Sequence, residues 1–120
     1  MGKKTLVLGV SLKEARYSNK VIHKLIADNH EVRAIGFKEG SVANINVSIE
    51  KKIFKNIDTV SLYLSPVNQV SFYTYVVALN PERVIFNPGT ENEELISLAK
   101  ENNIHTEEAC TLVMLSIGNY

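Results

Sequence analysis

The residues of this sequence that are best suited to chemistry lie between Gly9 and Ser18. Gly9 ends an apolar run, Ser11 and Ser18 carry hydroxyl groups, and Arg16 carries a positive charge. A glycine lets the backbone turn close to a ligand, and a helix that begins after the segment presents N–H groups and the positive end of its dipole to an anion. The segment matches neither the G-x-G-x-x-G nor the G-x-x-x-x-G-K-[ST] pattern. Phosphate binding and a plain strand-to-helix turn with a capping serine both stay open.

A second basic position follows the second apolar run of the chain. Lys38 comes directly after Phe37, and the first carboxylate there is Glu39. NAD-binding folds use an acidic residue at the end of the second strand to hold the ribose hydroxyls. Lys38 suits an additional phosphate better than a bare ribose diol, which argues against NAD and leaves NADP open. The alternative is an ordinary solvated lysine.

Few residues suggest catalysis or metal binding. His23, His30 and His105 fall outside the predicted ligand loops, and their spacing is not that of a zinc site. Cys110 begins the predicted last helix, and a thiol at a helix start can have a lowered pKa. A small buried apolar residue is the favoured interpretation of Cys110. No catalytic residue and no metal ligand is therefore assigned, and a binding module is favoured over an enzyme.

Alternating strands and helices must position these residues. Short β-rich runs predict strands over 5–10, 31–36, 58–64, 83–86 and 104–106, with a further short strand possible near 45–49. Amphipathic or capped segments predict helices over 18–27, from 66 to about 79, over 90–102 and over 110–117. The alternation predicts an α/β fold in one domain over residues 1–120. Its doubly wound, mostly parallel, five-stranded Rossmann-like sheet would carry helices on both faces.

Two helix starts have specific sequence signals. Ser65 is the expected N-cap of a helix with Pro66 in its first position, and Thr90 with Glu93 forms a T-x-x-E capping box. The inner face of the helix after Pro66 is assigned to Val67, Val70, Thr74 and Val77. Ligands of such sheets bind beyond the carboxyl ends of the strands. The loops 9–17, 36–39, 64–66 and 87–89 are therefore expected to form the site.

Composition limits the partners. Hydrophobic residues make up 45% of the 120 residues, and 13 basic residues balance 13 acidic ones. A net charge of zero gives no electrostatic footprint for nucleic acid or for an anionic membrane. The first apolar run is too short for a signal peptide or a membrane span, so a cytoplasmic protein is expected. The apolar tail from Leu112 to Ile117 predicts cover by the sheet or by a second copy, which leaves a homodimer or a partner protein open.

The ordered set of these motifs resembles a known family. Gly9-Val10-Ser11 with Arg16-Tyr17-Ser18 resembles the G-A-S…R-Y-S opening of small standalone CoA-binding-domain proteins, which are similar to the CoA-binding domain of the succinyl-CoA synthetase alpha subunit. Lys38, Leu64-Ser65-Pro66, Asn87-Pro88-Gly89 and the ending Glu108 to Leu115 match in the same order. The resemblance covers nearly the whole chain. Leu12 to Ala15 depart from it, since many members carry Asn-Pro there.

The resemblance implies coenzyme A, or an acyl-CoA, as the ligand. It implies that the loop after the first strand contacts the pyrophosphate, that Lys38 faces the phosphoadenosine, and that the loops at 64–66 and 87–89 line the groove. The cofactor-binding residues expected on this basis are Gly9, Val10, Ser11, Arg16, Tyr17, Ser18, Phe37, Lys38, Leu64, Ser65, Pro66, Asn87, Pro88 and Gly89. An NAD(P)-binding or redox-sensing module, a subunit of a thioester-handling enzyme and a nucleotide-free interaction domain stay open as alternatives.

Overall fold

A seven-stranded sheet forms the centre of the computed structural model, which describes residues 2–120. The strands are β1 (Thr5–Val10), β2 (Val32–Gly36), β3 (Gly40–Val42), β4 (Ile45–Ser48), β5 (Thr59–Leu62), β6 (Arg83–Phe86) and β7 (His105–Glu108). Their order in the sheet is β3-β4-β2-β1-β5-β6-β7. The pairing of β3 with β4 is antiparallel and the other five pairings are parallel. The predicted α/β class and the mostly parallel sheet are confirmed.

The predicted count of five strands is wrong, because β3 and β4 add a hairpin to one edge. The possible strand near 45–49 is present as β4, and β3 lies before it. The two residues between them, Ala43 and Asn44, have φ angles of 51° and 66°. Two consecutive positive φ angles make a type I′ turn, whose usual sequence signal is Asn-Gly. Ala-Asn lacks that signal, and so the hairpin was not apparent from local sequence.

The sheet is covered on both faces. Leu6 and Leu8 of β1 face one hydrophobic cluster, while Val7 faces the other. Strict alternation would put Val10 on the side of Leu6 and Leu8, but it packs with Val7. A register shift between Leu8 and Val10, centred on Gly9, accounts for the change. This β-bulge redirects the chain just where the candidate ligand loop begins.

The helices divide between the two faces. They are α1 (Tyr17–Ala27), α2 (Pro66–Gln69), α3 (Tyr73–Leu79), α4 (Glu93–Glu101) and α5 (Thr111–Ile117), with a 3-10 turn over Val70–Phe72. Residues of α1 and α5 pack in the cluster of Val7, and residues of α3 and α4 pack in that of Leu6. Among the residues described, no helix is long and apolar enough to cross a membrane.

Three of the four residues predicted on the inner face of the helix after Pro66 are exposed, and the fourth, Val77, is half-buried. Val67 is 79% exposed and Val70 is 56% exposed, and Thr74 is also exposed. The buried residues of this region are Gln69, Phe72, Tyr75, Val76 and Leu79. The 3-10 turn changes the helical phase after Gln69, and the first buried position is occupied by a polar residue. Hydrophobic periodicity therefore predicts the wrong buried face for this segment.

The predicted capping box of α4 is also wrong. Asn92 is the N-cap, and its side chain accepts hydrogen bonds from the amides of Glu94 and Leu95. The Thr90 hydroxyl instead donates to the carbonyl of Asn87 at 2.7 Å. Because Asn92 caps the helix by itself, α4 begins three residues after Thr90.

The sheet face covers part of the apolar tail. Met114 and Leu115 are buried, whereas Val113 and Ile117 are 53% and 67% exposed. The helix packs beside α1 in the cluster of Val7. Cover by a second copy of the chain stays a prediction for the exposed residues.

Candidate functional site

A cleft of about 690 Å³ opens beyond the carboxyl end of β1. Its lining residues come from the β1–α1 loop, the first turn of α1 and the segment after β5: Gly9, Ser11, Lys13, Ala15, Arg16, Tyr17, Ser18, Lys20 and Tyr63. Five of them belong to the predicted cofactor-binding set. Val10 lies beside the cleft but is buried in the core.

Hydrogen bonds between its own residues fix the shape of the β1–α1 loop. The amide of Ser11 donates to Ser18 Oγ at 3.0 Å, and the amide of Lys13 donates to Ser11 Oγ at 3.1 Å. The side chain of Asn19 donates to the carbonyl of Ser11 at 3.0 Å. Both serine hydroxyls act as acceptors in these bonds, so each keeps a proton that it can donate to a ligand.

The start of α1 has the properties of an anion site. Arg16 is the N-cap, with extended backbone angles and no capping hydrogen bond from its side chain. The first amides of a helix have no intrahelical acceptor, and the helix dipole adds partial positive charge there. Lys13, Arg16 and Lys20 line the same cleft. Free amides, a dipole and three cations together favour a ligand with more than one negative charge.

The predicted second anion contact lies on a neighbouring loop. Phe37 and Lys38 are exposed between β2 and β3, outside the lining of the cleft. The start of β3, which follows this loop, nevertheless lies close to the β1–α1 loop, because a Cβ built on Gly40 would lie 2.9 Å from the Leu12 side chain. Within residues 2–120, no hydrogen bond or ion pair involves the Lys38 ammonium group.

The two remaining predicted loops follow β5 and β6 at the same edge of the sheet. Ser65, Pro66, Pro88 and Gly89 are exposed there, whereas Leu64 is buried. None of the residues in these two loops lines the cleft after β1. The structure thus brings the predicted residues to one edge but does not gather them into one cavity.

Asn87 belongs to the scaffold of this edge. The residue is 1% exposed. Its side-chain nitrogen donates to Ser61 Oγ at 3.0 Å and to the carbonyl of Leu62 at 2.9 Å, and its oxygen accepts the Thr111 amide at 2.8 Å. The Thr111 hydroxyl also hydrogen-bonds Ser61 Oγ at 2.8 Å. The side chain of Asn87 therefore fastens the start of α5 to the sheet.

Sequence reasoning missed several residues of the cleft. Lys20 had a usable signal, because it lies four residues after Arg16 and so shares a helix face with it. Tyr63 had none, since it sits in an apolar strand run. Its hydroxyl is buried, with no hydrogen-bond partner in the part of the chain that the structure describes. Burial raises the pKa of Tyr63, so the phenol stays protonated at neutral pH.

The histidines and the cysteine lie outside the cleft. His23 is exposed on α1, and His105 is exposed on β7. Cys110 is half-buried at the start of α5. Within residues 2–120, no three His, Cys, Asp or Glu side chains are grouped so that they could hold a metal ion.

The mostly parallel sheet, the helices on both of its faces and the cleft beyond the carboxyl end of β1 define a Rossmann-like α/β domain. The family model described as CoA binding domain matches residues 3–116. The chain belongs to this family.

Solved structures agree with the fold. A crystal structure described only as that of an uncharacterized protein has a TM-score of 0.97 at 44% identity, over 100% of this chain and 99% of that one. A structure described as cell-free ID.343 from Thermus thermophilus has a TM-score of 0.87 at 19% identity, over 99% of this chain and 91% of that one. A hypothetical protein from Pyrococcus horikoshii OT3 has a TM-score of 0.87 at 21% identity, over 97% and 83%. The comparison with curated proteins finds no match.

Proposed function

We propose that this protein binds coenzyme A or an acyl-CoA at the carboxyl edge of its sheet and has no chemistry of its own. The cleft at the start of α1 is the observation that carries the proposal. Its three basic side chains and the first amides of α1 are suited to a pyrophosphate. Family membership supports coenzyme A as the source of that pyrophosphate.

Lys38 is proposed to contact the 3′-phosphate on the adenosine half of the ligand. Coenzyme A needs two anion contacts, and the cleft supplies one of them. Lys38 is exposed on the loop next to the cleft and is not engaged in any ion pair of the described residues. An ammonium group in that state can form a charge-assisted hydrogen bond with a phosphate.

The experiment that tests this proposal is a calorimetric titration with coenzyme A and with dephospho-CoA. Lys38→Ala should weaken the binding of coenzyme A by about 1.5–3 kcal/mol at most, and it should weaken the binding of dephospho-CoA much less. Lys100→Ala, which removes an exposed lysine from α4, is the matched control and should leave both affinities unchanged. Equal losses for the two ligands would refute the role of Lys38. Absence of binding by the wild type at millimolar concentration would refute the proposed function.

A side-by-side thermal-shift series separates coenzyme A from the other nucleotides. A ligand at 100 times its dissociation constant adds about 2.7 kcal/mol to the free energy of unfolding. Coenzyme A and acetyl-CoA should stabilise the protein more than NAD, NADP or ADP at equal concentration. The largest shift with NADP would instead support the dinucleotide-binding alternative, since NADP also carries an extra phosphate for Lys38.

A further inference from the structure

A buried glutamine connects the loops at the carboxyl edge of the sheet. Gln69 is 0% exposed. Its side-chain nitrogen donates to the carbonyls of Leu64 and Thr90, both at 2.8 Å, and its oxygen accepts from Asn92 Nδ2 at 2.8 Å. The two carbonyls can only accept, so the nitrogen must face them and the orientation of the amide is fixed.

The partners of Gln69 belong to different loops. Leu64 lies in the loop after β5, Thr90 lies in the loop after β6, and Asn92 caps α4. The β5–β6 ladder ends at the pair Leu62 and Phe86. Beyond that pair, Gln69 bridges the two loops through its own amide group. Asn92 Nδ2 extends the network, because it also donates to the Tyr73 hydroxyl at 2.8 Å.

We propose that Gln69 is a positioning residue, which holds loops 64–66 and 87–90 in the arrangement that receives the ligand without touching it. The inference rests on the proposed function, which assigns these loops to the ligand groove. Every polar atom of the Gln69 amide is hydrogen-bonded, and such a satisfied buried network gives a loop pair one preferred arrangement. Loss of the amide would leave two carbonyls and one N–H group without partners.

The first test compares Gln69→Met with a matched control. Methionine fills the space of glutamine but cannot bridge the two carbonyls. Thr59→Val removes two hydrogen bonds of an equally buried residue at the opposite edge of the sheet. Thr59 Oγ1 accepts one of them from Arg83 Nε at 2.9 Å and donates the other to Asp58 Oδ1 at 2.7 Å. The comparison is made at a temperature where circular dichroism shows that both variants are folded. Gln69→Met should then lower the affinity for coenzyme A about tenfold or more. The affinity of Thr59→Val for coenzyme A should stay within about twofold of that of the wild type.

Hydrogen exchange gives a readout that does not depend on the ligand. The Asn68 amide fastens the loop 64–66 to the first turn of α2 by donating to Ser65 O at 2.9 Å, and the Thr90 amide closes a turn within the loop 87–90 by donating to Asn87 O at 3.0 Å. Their exchange should accelerate about tenfold or more in Gln69→Met, but not in Thr59→Val. If wild-type protein fails to bind coenzyme A, the proposed function fails, while this measurement still decides whether Gln69 fixes the loops.

A pH profile distinguishes positioning from general loss of stability. In Gln69→Glu the ionised carboxylate faces two carbonyl oxygens, whereas the protonated acid can donate to one of them. Its affinity deficit relative to wild type should therefore shrink as the pH is lowered from about 8 to about 5.5. The carboxylates near Asn92, which belong to Glu91, Glu93 and Glu94, are exposed and present in both proteins.

Asn92→Asp provides a milder variant that keeps the helix cap. Aspartate still accepts from the first amides of α4 but no longer donates to Gln69. A smaller loss of affinity in the same direction is expected. The proposal is overturned if the Gln69 variants bind coenzyme A and exchange their loop amides as Thr59→Val does, or if the Gln69→Glu deficit is independent of pH.

Discussion

At the scale of single residues, Gly9 has a structural role that precedes any ligand. Its φ angle is 99°, and a Cβ built there would lie 3.0 Å from the backbone carbon of Tyr63 and 3.0 Å from the Leu64 side chain. Gly9→Ala therefore adds a clash to the backbone strain. We expect a loss of about 2–4 kcal/mol in the free energy of unfolding by urea denaturation.

Gly89 offers the matched control for this variant. Its φ angle is 90°, but a Cβ there meets no atom within 4 Å. Gly89→Ala should therefore cost only the backbone term, about 1–2 kcal/mol. Equal losses in the two variants would show that the approach of Tyr63 does not constrain Gly9. Larger replacements of Gly9, such as valine, are expected to weaken ligand binding through the loop as well as by blocking the ligand.

Local chemistry made part of the candidate site predictable. Gly9, Ser11 and Ser18 could be found because a glycine, two hydroxyls and a following helix are consecutive signals along the chain. Tyr63 and Gln69 could not, because an aromatic residue just after a strand and an amide in a helix acquire their roles only from what other segments place around them. Whether Lys38 contacts the ligand stays a prediction, since its exposed side chain has no partner in the described structure that would orient it.

At the scale of elements, the β3–β4 hairpin contains a residue that is poorly suited to its turn. Ala43 is exposed and has a φ angle of 51°. The left-handed region costs an alanine about 1–2 kcal/mol, whereas asparagine tolerates it. Ala43→Asn should therefore stabilise the protein by about 0.5–1 kcal/mol, measured as an increase in the urea midpoint at unchanged m-value.

Ala43→Val is the opposite variant at the same position. A β-branched residue is less compatible than alanine with a positive φ angle, so this variant should be less stable than wild type. If both variants unfold at the wild-type midpoint, the hairpin is frayed in solution and does not contribute to the stability of the fold.

The elements also show where periodicity is informative. Helical spacing predicts an apolar face of Val21, Ile22, Leu25 and Ile26 on α1. The first three are buried and Ile26 is 36% exposed, because this helix is regular over 11 residues and Ile26 lies at the margin of its buried face. The segment after Pro66 is divided into α2, a 3-10 turn and α3, so a single helical period does not describe it. Its buried face begins at Gln69, which a hydrophobic pattern excludes by residue type.

At the scale of the whole molecule, the two ends of the described chain meet at the edge of the sheet where β1 begins, opposite the candidate site. The Tyr120 ring packs against His30 with 4.9 Å between ring centroids, and lies 4.4 Å from the Arg83 guanidinium carbon. Its hydroxyl hydrogen-bonds Thr5 at the start of β1. The ammonium group of Lys3 donates a hydrogen bond to the backbone oxygen of Tyr120 at 2.6 Å. These contacts place His30 between both chain ends.

His30 should make the stability of the molecule depend on pH. Its Nδ1 accepts the Lys3 amide at 2.9 Å, which requires an unprotonated nitrogen. Burial, chiefly, lowers the pKa of His30 below its ordinary value of 6.5. The unfolded chain therefore binds a proton at a higher pH than the folded chain, and stability rises with pH across that interval. Urea midpoints should fall as the pH is lowered from about 7.5 to about 5.5.

His30→Asn, which keeps a hydrogen-bond acceptor but does not titrate, should flatten this pH dependence of the urea midpoint. His23→Asn, on the exposed face of α1, should preserve it. A wild-type slope in His30→Asn would assign the pH dependence to other groups and contradict the role of His30 in joining the chain ends.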